Sequence, residues 1–231
     1  MANAPIIEAH NIHRTFGKGD LLTHVLRGID ISVEPGEFIA IMGKSGAGKS
    51  TLMYQLSVLD TPTEGTVTVD GTNVLELDEY EATTFRRQTL GYVFQSYALV
   101  PDLDAEENVM LPLLMSGMDW ETARITAHES LNEVGLEHRH HSLPGQLSGG
   151  EQQRVAIARA VAGKPKIIFA DEPTANLDSV SGHQVIDLLT CLHKESGQTI
   201  VMVTHEREYA MGCDRIYHME DGQIVDIEQL S

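Results

Sequence analysis

The chain has 231 residues, 34 acidic against 16 basic, and a formal charge of -18, a field that repels polyanions and excludes nucleic acid as a main partner. That length holds one α/β domain with a substantial core and is too short for two. With 42% hydrophobic and 22% charged residues it reads as an ordinary globular chain, and no apolar run nears the roughly 20 residues that span a bilayer. The opening Met1-Ala2-Asn3-Ala4-Pro5 lacks the basic and apolar regions of a signal peptide, so a cytosolic location is expected. Cys191 and Cys213 form no metal-type pair and suit a reducing compartment. Only six residues are lysine, which fits a salt-adapted host or simply a soluble acidic protein.

In chain order, residues 6–11 and 30–33 alternate as strands, and Gly17, Gly19 and Asp20 mark turns between them. Residues 37–42 form a short apolar run of buried-strand type, bounded by Gly36 and Gly43. A helix is predicted over 49–59 and a strand over 66–69, closed by an Asp70-Gly71 turn. Residues 95–162 are polar and amphipathic, with helical patterning around 121–134. Runs of buried-strand type return at 166–170 and 199–204, separated by a helical pattern over 181–195. Strands alternating with helices argue a mostly parallel sheet. No repeat or linker divides the chain, so residues 1–231 read as one domain, with a core of about 1–94 and 163–231 and a helical insertion at about 95–162.

Gly43-Lys44-Ser45-Gly46-Ala47-Gly48-Lys49-Ser50-Thr51 fits G-x-x-x-x-G-K-[ST]. Glycines let such a loop curl until several N–H groups face one anion, and the helix it opens adds its dipole. Lys49 then supplies a point charge for the β- and γ-phosphates and Ser50 a hydroxyl for Mg²⁺. A chance glycine-rich turn is the alternative; the strand before and the helix after argue against it. Ile167-Ile168-Phe169-Ala170-Asp171-Glu172 is an apolar strand ending in two carboxylates, at the sheet edge where α/β proteins bind ligands.

A second motif, Leu147-Ser148-Gly149-Gly150-Glu151 followed by Gln152-Gln153-Arg154, resembles the signature of the ATP-binding cassette family, and the resemblance runs over nearly the whole chain. It implies a RecA-like P-loop NTPase: a mostly parallel sheet, an N-terminal antiparallel β subdomain and an inserted α-helical subdomain. It also implies roles. Asp171 orders the Mg²⁺ shell, Glu172 polarises the attacking water, Gln95 is a neutral ligand to Mg²⁺ and water, and His205 is the switch histidine at the γ-phosphate. Asp178, in Asn176-Leu177-Asp178, falls in the segment that bridges two subunits. Phe16 sits where relatives stack an aromatic on adenine, although a core phenylalanine at a strand end remains open. Ser148, Gly149 and Gly150 would cap the γ-phosphate of ATP bound to the opposite subunit, making a twofold homodimer around two ATP-Mg²⁺. Lys44 departs from the proline common in relatives.

Finer stretches are similar to the MacB, LolD and FtsE group: Leu59-Asp60-Thr61-Pro62-Thr63-Glu64-Gly65, Gly91-Tyr92-Val93-Phe94-Gln95 and Ala170-Asp171-Glu172-Pro173-Thr174. The implied function is an ATPase at the cytoplasmic face of the membrane. It would drive a MacB/FtsX-like permease that exports lipoproteins, amphipathic antibiotics or peptides, or haem. A mechanical signalling complex of the cell-division type is the alternative, and a soluble DNA-repair ATPase lacks support, since no heptads or cysteine pairs interrupt the chain. The permease is expected over residues 95–114, apolar for a surface, with Leu99→Asp or Leu113→Asp abolishing the complex. Glu137-His138-Arg139-His140-His141 reads as a solvated loop rather than a metal tract.

Overall fold

The computed structural model describes residues 4–230; residues 1–3, the head of the stretch expected to carry no signal peptide, and residue 231 lie outside the described residues. Two sheets organise the molecule. The smaller is antiparallel in the order β2-β1-β4-β5, from β1 (Ile7–Phe16), β2 (Thr23–Val33), β4 (Glu64–Val69) and β5 (Thr72–Asn73). The larger runs β10-β9-β3-β8-β7-β6. It comprises β3 (Phe38–Gly43), β6 (Leu90–Val93), β7 (Ile167–Asp171), β8 (Thr199–Thr204), β9 (Arg215–Glu220) and β10 (Gln223–Gln229). All its pairs are parallel except the closing β9–β10 hairpin.

The apolar runs of β3, β7 and β8 are continuous because both faces of this sheet are covered. Alternate residues point to opposite sides. Phe38, Ala40, Met42, Ile168, Ala170, Ile200 and Met202 join a core with the helices, whereas Ile39, Ile41, Phe169, Val201 and Val203 join a second core with the antiparallel sheet. Between the two sheets lies α1 (Lys49–Leu56), whose Leu52, Met53 and Leu56 are fully buried in that second core.

The other helices are α2 (Glu79–Thr89), α3 (Ala105–Met115), α4 (Trp120–Glu133), α5 (Gly149–Val161), α6 (Ser179–Ser196) and α7 (Arg207–Ala210). Helices α3, α4 and α5 pack on one another and occupy the stretch between β6 and β7. Asp78, Asp104 and Ser148 open α2, α3 and α5 with reciprocal capping boxes to Glu81, Glu107 and Glu151.

Several boundaries differ from the sequence reading. β1 and β2 extend to Phe16 and back to Thr23, because irregularities at Asn11 (φ 49°) let the strand continue through polar residues. The helix predicted to residue 59 stops at Leu56, since Val58 takes a left-handed φ of 60°. Asp70 and Gly71 are both left-handed (φ 49° and 73°), the backbone a tight hairpin turn demands.

Candidate functional site

The loop between β3 and α1 wraps around its own lysine. Lys49 is buried, and its Nζ donates to the carbonyls of Gly43 (2.9 Å) and Lys44 (3.2 Å) while standing 3.7 Å from Glu172 Oε1. Gly46 holds φ 82° in open space, so its conformation alone requires glycine. Gly43 is needed for proximity instead: a Cβ there would come within 2.3 Å of the Met219 carbonyl on β9. Ala47 is buried, and its carbonyl accepts from Gly222 N in the β9–β10 turn, so the edge hairpin braces the loop.

β7 delivers the two carboxylates. Ser50 Oγ, in the first turn of α1, donates to Asp171 Oδ1 at 3.0 Å. Burial raises the Asp171 pKa above the usual carboxylate range, with the Ser50 bond opposing and the Glu172 charge reinforcing that shift. A hydroxyl facing a desolvated carboxylate is an oxygen donor set that suits a hard divalent cation such as Mg²⁺. Glu172, the next residue, has φ 44°, rare for a non-glycine residue and characteristic of strain held at a functional site. Its N–H donates to Val203 O on β8 (3.0 Å), which fixes the turn. Past the end of β8, His205 Nδ1 lies 3.4 Å from Glu172 Oε2.

These groups converge. One cavity of about 520 Å³ is lined by Ser45, Gly46, Gly48, Lys49, Ser50 and Thr51 together with Val25, Gln95 and Glu172. Its neighbour, about 610 Å³, joins Gly43 and Lys44 to Glu172, His205 and His218. Phe16 ends β1 and is 44% exposed, with the Arg14 guanidinium 4.5 Å from its ring centre. It is a surface aromatic, not a core one.

Ser148, Gly149 and Gly150 are absent from the lining of the phosphate-loop cavities. Ser148 caps α5: its Oγ accepts from Glu151 N (3.3 Å) and its own N–H donates to Glu151 Oε2 (2.8 Å). Those hydrogen bonds hold the Glu151 carboxyl below its usual range. The glycines follow from crowding. A Cβ at Gly149 would stand 2.9 Å from the Tyr97 hydroxyl, and one at Gly150 3.0 Å from the Ser181 side chain. Asp178 caps α6 in the same manner, accepting from Ser181 N and Oγ (3.0 and 2.8 Å), which lowers its pKa.

The ABC transporter family model matches residues 26–175. The chain belongs to the ABC transporter family. It is one of the family's ATPases, of the MacB and LolD type. It is 49% identical to an uncharacterised ABC transporter ATP-binding protein of Methanocaldococcus jannaschii, over 96% of this chain and 99% of that one. With the lipoprotein-releasing system ATP-binding protein LolD of Syntrophotalea carbinolica it shares 47% identity over 96% and 97%. With the macrolide export ATP-binding/permease protein MacB of Brucella melitensis it shares 48% over 97% of this chain, which spans only 35% of that relative's length. Among solved structures, the ATP-binding cassette MJ0796, determined as a dimer in a post-hydrolysis state bound to ADP and Pi, superposes with a TM-score of 0.91. Its identity is 42%, and the match covers 97% and 99% of the two chains.

Against that family background, the structure adds residues that the sequence motifs passed over. Asn176 Nδ2 donates to the Gln95 carbonyl at 2.9 Å and so tethers the Gln95 loop to the segment after Glu172. Arg159 on α5 donates to the carbonyls of Tyr97 (2.8 Å) and Ala98 (2.6 Å), two residues held at φ 61° and 50°. Each lies in a recognised stretch of this ABC ATPase, but its partner is remote in sequence, so no local spacing reveals it. The apolar segment 95–114 also divides. Leu113, Val109 and Met110 are buried in the core, and Leu99 packs against it. A cavity of about 330 Å³ opens instead among Leu59, Arg86, Tyr92, Leu111, Pro112 and Met115. Leu113→Asp therefore tests folding rather than docking.

Proposed function

We propose that two copies of this chain close head to tail on two Mg-ATP, hydrolyse them, and move a membrane permease. The convergence of Lys49, Glu172 and the Ser50–Asp171 pair on the glycine loop's cavity carries this reading. Loop N–H groups and Lys49 bind the β- and γ-phosphates, exchanging weak carbonyl acceptors for anionic oxygens. Phe16 offers its exposed face to the base. Ser50, Asp171 and Gln95 would hold Mg²⁺, which when bound would neutralise charge on the phosphate oxygens. Glu172 takes the proton of the attacking water, and His205, 3.4 Å away, orients that carboxylate.

Ser148, Gly149 and Gly150, with the N-terminus of α5, complete the neighbour's site rather than their own, and Asp178 lies at the same seam. Closure follows because the closed pair binds the triphosphate better than the open one, and hydrolysis removes that difference. The test is a dilution series of the purified chain with Mg-ATP. Hydrolysis per chain should rise with protein concentration as pairs form; a constant rate per chain in demonstrated monomers would overturn the paired site.

The permease sits on residues 95–114 and the adjoining 330 Å³ cavity, where Met115 is 59% exposed. Among the described residues no helix is long and apolar enough to cross a membrane. The chain works at the cytoplasmic face, against the permease. Relatives named for macrolide export and lipoprotein release support an amphipathic or lipid-modified cargo. Met115→Asp should abolish co-purification with the permease while ATP hydrolysis by the isolated chain persists. Intact co-purification would remove the cavity from the interface.

A further inference from the structure

Away from the nucleotide site, the helical layer brings together three groups that the sequence scatters. Glu106 lies in the first turn of α3, His128 on α4, and His140 in the loop between α4 and the signature motif. One ligand atom from each lies within 4.8 Å of the other two. Glu106 is 7% exposed, a depth at which a carboxylate demands a cationic partner. Its Oε2 contacts His128 Nε2, and the His128 and His140 rings are 4.1 Å apart, edge on.

Backbone bonds fix the triangle before any ligand arrives. Glu106 N–H donates to the His140 carbonyl (2.9 Å) and Ala105 N–H to the Ser142 carbonyl (3.0 Å), clamping the loop to the start of α3. His140 Nε2 lies 3.0 Å from Asn132 Oδ1, an outer partner of the kind that sets a bound imidazole's tautomer. His141 pairs with Asp104 and His138 stays at the surface beside Glu137, so neither joins the group.

We infer that Glu106, His128 and His140 bind a divalent first-row transition metal, zinc foremost. Two imidazoles and one carboxylate are borderline-soft donors that suit zinc better than Mg²⁺ or Ca²⁺, and three protein ligands leave one position for water. Ligand atoms around tetrahedral zinc stand about 3.4 Å apart at the usual bond lengths near 2.1 Å, so the Glu106–His128 contact must open and any longer separation close, by side-chain rotation. The metal ties α3, α4 and the loop feeding Ser148 into one unit. Arg139, beside His140, already donates to Glu151 Oε1 in the signature helix at 2.8 Å. The site does not depend on how the nucleotide is used.

The test titrates zinc chloride into tag-free, chelator-treated full-length chain without nucleotide, followed by calorimetry and thermal midpoint. One equivalent should bind and raise the midpoint. His128→Ala and His140→Asn should each weaken binding at least about tenfold, while His138→Ala leaves it unchanged. Cobalt should give the intense visible absorption of a tetrahedral site, lost in His128→Ala. Circular dichroism and ATP binding check that each variant folds. Absence of zinc binding by the wild-type chain, or wild-type affinity in the double variant His128→Ala/His140→Asn, would overturn the site and leave an ordinary Glu106–His128 pair. Should both variants misfold, the wild-type cobalt spectrum decides alone: octahedral-type weak absorption counts against the site.

Discussion

The phosphate-loop edge and the signature edge of this molecule are built on opposite plans. At the first, polar groups face one another across elements: Lys49 is buried among loop carbonyls and Glu172, Ser50 meets Asp171, and Glu172 is strained toward His205. At the second, Ser148 is satisfied by its own helix through a capping box, and its neighbours are glycines packed tightly against Tyr97 and Ser181. One edge gathers its charged groups from three elements around a single cavity. The other is closed on itself, with Ser148 bonded to Glu151 of its own helix.

The contrast breaks most sharply at Glu172. Glu172→Gln keeps the shape and removes the base, so hydrolysis should fall by about 10²–10⁴-fold. ATP binding should persist, and closed dimers should accumulate on size exclusion; wild-type turnover would remove the base assignment. Ser148→Arg attacks the other edge. It should abolish hydrolysis by pairs yet leave ATP binding by the isolated monomer within about twofold, after a capping loss of about 1 kcal/mol. Collapse of monomer binding would mean that the signature acts within its own chain.

Smaller effects sharpen the picture. Asn176→Ala deletes one hydrogen bond to the Gln95 loop, worth about 1 kcal/mol, and should slow hydrolysis roughly fivefold with little change in ATP affinity. An unchanged rate would show that the tether does not position Gln95. Asp171→Asn should stabilise the nucleotide-free chain at neutral pH, read as a raised thermal midpoint. The sign follows from the raised pKa: the folded state favours the protonated carboxyl, so the wild-type chain loses stability as pH rises from the unfolded Asp pKa through the raised folded one. The gain in the variant should therefore vanish in acid. Thermal melts across pH check this, and a pH-independent gain would point to packing instead.

Much of this was legible in the residues. The runs of β3, β7 and β8 are apolar on both faces, so the strand ends at the loop, at Asp171 and Glu172 and before His205 could be placed from local spacing. The roles of Glu172 and His205 came instead from the family resemblance. The edge was harder. β9 and β10 carry His218, Glu220, Gln223 and Glu228 among their apolar residues because one face is solvated, and α2 has few buried positions to show a helical period. Pro112 inside α3 disguises a helix that its Asp104–Glu107 capping box announces. The Glu106–His128–His140 triangle was hidden for a different reason: its members meet only after α4 folds back onto α3.

Arg159 carries the last consequence. Its side chain grips the carbonyls of Tyr97 and Ala98, just past Gln95, from the helix that begins at Ser148. A displacement of Tyr97 and Ala98 would thus be felt along α5 through that guanidinium, so the backbone just past the glutamine and the serine-headed helix are built to shift as one piece.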